Sequence, residues 1–374
     1  MATASSNRMP STWSGISWAM APASGDLASR LLLATRAMRG ALLHGKAMRR
    51  WMAMVFELRS RGVISDLPNE YLRAVQPYVN SATTMSSRVV QLIDHADWLE
   101  TALKPAAFGR LTSGKPLVLA NLAPPRGYEY MRLHLQRAPA QSPEGDLMLT
   151  LVLQRAQEVQ QRAAPMEVAQ LAFSRFRIDG VGCFVIGGVR GQRHPVLRLS
   201  AMELNQALSG WKPAVLMVRV AQELSRFWGL KLVGLDPALH PMHGRPYSWS
   251  RKYREIAHKI DKSYRAIWAH FEAKHGGHGW MVVPLDSDDK LAATALSPEK
   301  RARQTHRADY WIRTRNLLRN EFAAQLNRLG PELQLDGATV AHGADTMQLA
   351  GANAFEDSEA LPSRLLDTGP SSLL

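Results

Sequence analysis

Residues 181–237 read VGCFVIGGVRGQRHPVLRLSAMELNQALSGWKPAVLMVRVAQELSRFWGLKLVGLDP, and this stretch decides how the chain is organised. Its first nine residues hold one cysteine, three glycines and otherwise only Val, Ile and Phe, the composition of a strand covered on both faces. Gly187, Gly188 and Gly191 then predict a loop, and Arg190, Gln192 and Arg193 supply it with cationic and amide donors suited to an anion. Ser200 and Glu203 have the spacing of a helix capping box. Pro213 opens a further helix that Gly229 closes, and Lys231 to Asp236 is a second apolar strand. A strand, a helical crossover and a second strand form a right-handed parallel unit, whose ligands gather at the carboxyl ends of the strands. Those ends are Gly188 to Arg193 and Asp236 to His243.

Upstream, Val168 to Ile178 has strand character, with a phase slip at Ser174-Arg175 that predicts a β-bulge. Asp179-Gly180 is the favoured pair for a tight hairpin into the organising strand. Pro116 to Leu122, Tyr128 to Arg137 and Leu147 to Leu153 give three more strands, separated by proline-rich and glycine-rich turns. Before Gly114 the period is helical. Leu27, Leu31, Ala34, Met38, Leu42, Met48, Met52 and Val55 recur every three to four residues among Arg30, Arg36, Arg39, Lys46, Arg49 and Arg50. This basic amphipathic segment either packs on a core or lies on an anionic membrane surface with Trp51 as interfacial anchor. Ser86 to Leu103 is a second helical stretch.

Downstream, Asp236, His240 and His243 fall within eight residues. Pro241 breaks the helix that would bring the two histidines onto one metal, so the reading assigns no metal and takes His240 as a proton carrier, with Glu203 as the alternative. Tyr253, Ile256, Ile260, Tyr264, Ile267, Trp268 and Phe271 lie at helical spacing among basic residues, which fits a core-facing helix with a wet cationic side and, alternatively, a surface that stacks nucleic-acid bases. Trp280 to Leu285 is a further strand, and Ser297-Pro298-Glu299 opens a last helix with a dense basic face.

The 374-residue chain carries a formal net charge of +14. After Gly330 seven acidic residues stand against Arg364 alone, so the rest of the chain is more basic still. That excess points to polyanionic partners: anionic lipid, a phosphorylated small molecule or nucleic acid. Cys183 is the single cysteine, which excludes an internal disulfide and predicts a reducing, cytoplasmic setting with the thiol acting as a small buried hydrophobe. The expected organisation is a disordered leader over 1–25, a helical part over 26–110, an α+β core domain over 111–329 and a disordered acidic tail over 330–374.

Gly145 to Leu153, Leu171 to Arg193, Ser209 to His240 and Leu296 to Trp311 together resemble the bacterial VirK/YbjX family, a family of unknown molecular function, over roughly residues 42–322. The resemblance implies a bacterial protein, either cytoplasmic or peripheral on the inner membrane, linked to virulence, envelope remodelling and tolerance of cationic antimicrobial peptides. It implies no catalytic residues. The order of antiparallel strands, central strand, helix, strand, helix and strand is also similar to the acyl-CoA-dependent N-acetyltransferase fold, where the loop after the central strand holds a pyrophosphate at a helix N-terminus. On that likeness acyl-CoA is the implied cofactor, held by Gly188, Arg190, Gly191, Gln192 and Arg193, with His240 and Glu203 as proton carriers. The expected fold is α+β, with a mixed, mainly antiparallel sheet, a helical N-terminal part and an N-acetyltransferase-like strand-helix-strand unit.

Overall fold

The computed structural model describes residues 9–21, 27–125, 127–139, 142–155, 165–191, 203, 206, 208–243, 251–286 and 297–329. The fold is mixed: helices dominate the N-terminal part, and an eight-stranded, mostly antiparallel sheet follows. The strands are β1 (Leu117–Leu122), β2 (Tyr128–Arg137), β3 (Leu147–Arg155), β4 (Met166–Ile178), β5 (Val181–Gly191), β6 (Lys231–Leu235), β7 (Lys274–His275) and β8 (Trp280–Val282), in spatial order β1-β2-β3-β4-β5-β6-β8-β7. One adjacent pair alone is parallel: β5 and β6, joined by Cys183–Ile186 against Lys231–Gly234. The remaining helices are α1 (Ser14–Ala19), α2 (Leu27–Leu43), α3 (Gly45–Ser60), α4 (Leu67–Leu72), α5 (Met85–Ala102), α6 (Pro105–Thr112), α7 (Pro213–Trp228), α8 (Arg251–His270) and α9 (Pro298–Gln325).

Local chemistry sets these boundaries. Asp179 and Gly180 both have positive φ (51° and 78°), the twist a two-residue hairpin needs between β4 and β5. Thr84 caps α5 by accepting from the Ser87 amide, and Asp66 caps α4 by accepting from Asn69. Gly229, left-handed at φ 67°, ends α7 while Leu230 N–H donates to Ser225 O.

The sheet is buried on both faces, which is why its central strands lack clean alternation. Phe173, Phe184, Ile186 and Leu232 pack with α7, α8 and α9, whereas Phe176, Cys183, Val185 and Val233 pack with the N-terminal helices. The expected phase slip at Ser174-Arg175 has this origin, because Leu171 and Phe173 point to one core and Phe176 to the other. The bulge itself lies nearby: Ala172 pairs with Gly188 and Phe173 with Ile186, leaving Gly187 as the extra residue on β5.

Three expectations are corrected. The amphipathic stretch from Asp26 is two helices, broken at His44, and Trp51 is no interfacial anchor: it is buried and donates its indole N–H to Tyr71 O at 3.1 Å. Within the expected leader, Ser14–Ala19 is helical, and Gly15 sits against the Tyr71 ring so closely that an added Cβ would collide with it. The glycine loop predicted at 187–191 is strand throughout. Gln192, Arg193 and the predicted cap Ser200 lie outside the described residues, as does the tail from 330 onward.

Candidate functional site at the end of the parallel pair

Beyond Ile186 the ladder to β6 stops, yet β5 runs on to Gly191. The side of β5 that β6 leaves is taken by a side chain: Val189 N–H donates to the Tyr264 hydroxyl of α8 at 2.9 Å. The turn between β2 and β3 folds over the same place from the other face. Asp146 N–H donates to Phe173 O at 3.1 Å, and Glu144 is set down on Gly187 and Gly188. A Cβ on Gly187 would strike the Glu144 carbonyl oxygen, and one on Gly188 its carboxylate. The two glycines are there to admit Glu144.

Glu144 is buried, and Arg190 reaches back from β5 to form an ion pair with its Oε1. The fully buried His240, in the turn after β6, places Nε2 at 3.5 Å from the same oxygen. Met242 N–H donates to His240 Nδ1 at 3.2 Å, which leaves Nε2 as the ring nitrogen that faces the carboxylate. Burial alone would raise the Glu144 pKa, but the His240 hydrogen bond and the Arg190 charge outweigh it and hold the carboxyl below its ordinary value. The Tyr264 ring stands edge-on to His240 at 5.6 Å. Burial, and then the negative charge of Glu144, push the Tyr264 phenol upward, so it stays protonated.

Of the residues proposed from sequence, the structure therefore brings Gly188, Arg190 and His240 together, with the exposed Gly191 at the strand end. Glu203 lies elsewhere: it pairs with Arg155 at 3.3 Å and lines a separate cleft with Tyr128 and Tyr310. His240 Nδ1 accepts from Met242 N–H, and Nε2 faces Glu144 at 3.5 Å. Among the described residues no group of three or more His, Cys, Asp and Glu side chains is placed to hold a metal ion. Tyr264, Ile267 and Trp268 of α8, with Phe271 just after it, are core, not a stacking platform.

Sequence reasoning missed Glu144 and the role of Tyr264. Glu144 lies in a Ser-Pro-Glu-Gly-Asp run that reads as a plain turn. Its trace was the Gly187-Gly188 pair, since adjacent glycines inside an apolar strand signal close approach of another chain segment.

A second polar cluster supports the first. Arg73, buried, lies 2.8 Å from Asp146 and 3.1 Å from Glu70, and donates to Gly145 O at 3.1 Å. Asp146 also accepts from Tyr78 and from Ser174 at 2.7 Å. The N-terminal helices thus clamp the turn that carries Glu144.

These features define a class: a mixed α/β protein in which a helix-bridged parallel strand pair opens onto a buried, ion-paired polar site. Residues 30–311 match the family described as Protein of unknown function (DUF535), and the chain belongs to that family. No curated protein and no solved structure matches it.

Proposed function

We propose that this is a VirK/YbjX-like protein that works as an acyl-CoA-dependent acyltransferase-like enzyme at the bacterial envelope. The observation that carries the reading is that β5 runs on past the end of its ladder with β6 at Ile186 and brings the half-exposed Arg190 to its end. The sheet order, with β8 inserted between β6 and β7 and a bulge on β5, supports the likeness to the N-acetyltransferase fold. Fold likeness alone carries no chemistry, so the assignment rests on the site.

In this reading Arg190, half-exposed at the strand end, binds a cofactor phosphate, and Gly191, with open space around it, lets the cofactor approach the backbone. Glu144 and His240 are positioning residues that fix the Arg190 guanidinium from behind. The transfer forms a bond from the acceptor's nitrogen or oxygen to the acyl carbon and breaks the thioester C–S bond. In this reading Tyr264, whose hydroxyl sits on Val189 N–H near the strand end, passes a proton to the departing thiolate and regains one from solvent. The acceptor loses its proton to solvent or to a second base. The test is a melting curve with and without acetyl-CoA and longer acyl-CoA: a rise that Arg190→Ala removes supports the reading, and unchanged curves with every chain length reject it.

A second reading, peripheral binding to anionic lipid at the inner membrane, is favoured by one specific observation. Leu27, Leu31, Met38 and Leu42 share one face of α2 and are 43% to 62% exposed. Between Leu27 and Phe56 stand Arg30, Arg36, Arg39, Lys46, Arg49 and Arg50 with no acidic residue. Among the described residues no helix is long and apolar enough to cross a membrane, so the contact would be in-plane. Flotation with anionic vesicles tests it: binding should fall with salt and with Leu31→Glu, and no binding at low salt ends it.

A further inference from the structure

The face of α7 opposite the parallel pair holds a fourth buried carboxylate. Glu223 has its side chain 1% exposed, and three arginines converge on it. Arg226 pairs with Oε1, Arg315 Nε lies 2.9 Å from Oε1, and Arg319 Nε lies 3.0 Å from Oε2. With Asp286, which also pairs with Arg226, two negative charges are met by three permanent positive ones, an excess the network does not need for its own neutrality. Beside it opens a cleft of about 640 Å³ lined by Lys104, Glu223, Arg226, Phe227, Arg319, Ala323, Leu326, Asn327 and Arg328. Four cations face this space, and Glu223, sealed beneath its arginines, is the one acid that lines it.

The geometry of the cations matters more than their number. Arg226 is spent: one terminal nitrogen goes to Glu223, the other to Leu285 O and Asp286. Arg319 is not. It uses Nε on Glu223, and among the described residues its two terminal nitrogens make no hydrogen bond. A guanidinium held by Nε on a buried carboxylate keeps its Nη pair free in a fixed orientation, which is the arrangement for gripping phosphate without first losing side-chain freedom. Lys104 gives one hydrogen to Ala323 O at 2.7 Å and keeps two. Arg328 is exposed and makes no ion pair or hydrogen bond among the described residues. The last carbonyls of α9, whose dipole would repel an anion, are taken up by Lys104, through its amide to Gln325 O and its ammonium to Ala323 O. Phe227, Ala323 and Leu326 supply an apolar wall.

We propose that this cleft is a binding site for a small molecule that carries a phosphate or diphosphate on an apolar or aromatic body. Its volume lies within the range of small-molecule sites. Arg319 and Arg328 grip the phosphate oxygens, Lys104 adds charge at the rim, and Phe227 packs against the body of the ligand. The site is separate from the end of β5 and does not rest on the acyl-transfer reading.

The test uses the full chain, with melting curves and calorimetry at low salt and three probes: inorganic pyrophosphate, ADP, and dioctanoyl phosphatidic acid. Pyrophosphate reads the charge alone, ADP a nucleotide source and phosphatidic acid a lipid source. We expect at least one probe to bind and raise the melting temperature. Arg319→Lys keeps a cation beside Glu223 but loses the fork, and Arg328→Glu reverses an exposed charge that holds no fold contact. Each should weaken binding about tenfold or more, the effect of one lost charge-assisted contact. Melting of the free variants checks that the fold is intact. The proposal is overturned if none of the three probes binds, or if binding survives both substitutions undiminished.

Discussion

His240 Nε2 lies 3.5 Å from Glu144 Oε1, although 96 residues of chain separate the two and neither reaches bulk water. The contact joins the turn after β6 to the turn between β2 and β3, and Arg190 closes it from the end of β5. Glu144 is therefore the hub, and its charge state should govern the stability of the region. Its carboxyl is held below the ordinary value, so the folded state takes up this proton less readily than the unfolded chain. The sign follows: ionised Glu144 stabilises the fold above the ordinary carboxylate range, and this contribution is lost as pH falls through the folded value. Glu144→Gln should cost about 2 kcal/mol at neutral pH, as a buried charge-assisted hydrogen bond does. The gap to the wild type should close on acidification, as denaturant titrations across that range would show. A gap independent of pH would mean that Glu144 is not ionised in the fold.

Gly187, Gly188 and Gly191 look equivalent in the sequence and are not equivalent in the fold. Gly187→Ala drives a Cβ into the Glu144 backbone, which has no way to yield, and should cost about 1–3 kcal/mol in chemical denaturation. Gly191→Ala meets open space and should change stability by less than about 0.5 kcal/mol. Equal effects at the two positions would undo the account of why β5 carries glycine.

That contrast also marks how far the sequence can be read. The hairpin at Asp179-Gly180, the α7 stop at Gly229 and the parallel pairing of β5 with β6 depend on local turn chemistry and hydrophobic period, and all were legible. The β5 glycines were misread as a loop because their cause, Glu144, approaches from a turn more than 40 residues away in the chain. Arg190 and His240 stood out as polar residues near the carboxyl ends of the parallel strands; Tyr264 did not, because a tyrosine at core spacing looks like packing until its hydroxyl is seen on Val189 N–H.

Arg73 tests whether the helical part braces the site. Its guanidinium is sealed between Asp146, Glu70 and the Gly145 carbonyl, and Arg73→Ala would leave buried Asp146 without a cation and Glu70 with Arg137 alone. The loss should be about 3–5 kcal/mol. Because Gly145 and Asp146 directly follow Glu144, hydrogen exchange should also speed up at Val189 and its neighbours on β5. Faster exchange confined to the N-terminal helices would separate the two clusters.

Cys183 offers a probe of the sheet's covered face. The thiol is 1% exposed, donates to Val181 O at 3.4 Å, and burial pushes its pKa up to about 11. A thiol-reactive disulfide reagent at neutral pH should label the native protein slowly, at a rate set by opening of the fold, and should label it at once in denaturant. Rapid native labelling would place Cys183 on an accessible surface and contradict the two-sided burial of β5.

Tyr264→Phe separates a structural from a chemical role for the hydroxyl. It removes the acceptor of Val189 N–H and leaves that amide buried, which should cost about 1–3 kcal/mol. The ring packing against His240 and Trp268 is kept, so the fold should survive. If the phenol also returns a proton to the leaving thiolate, acyl transfer by the variant should fall about 100-fold or more in kcat while KM for acyl-CoA changes little. Thiols with lower pKa leave without help, so activated thioesters should recover part of the lost rate. A uniform fall in kcat with every leaving group would assign Tyr264 to the architecture of the strand end and move the acid to another residue.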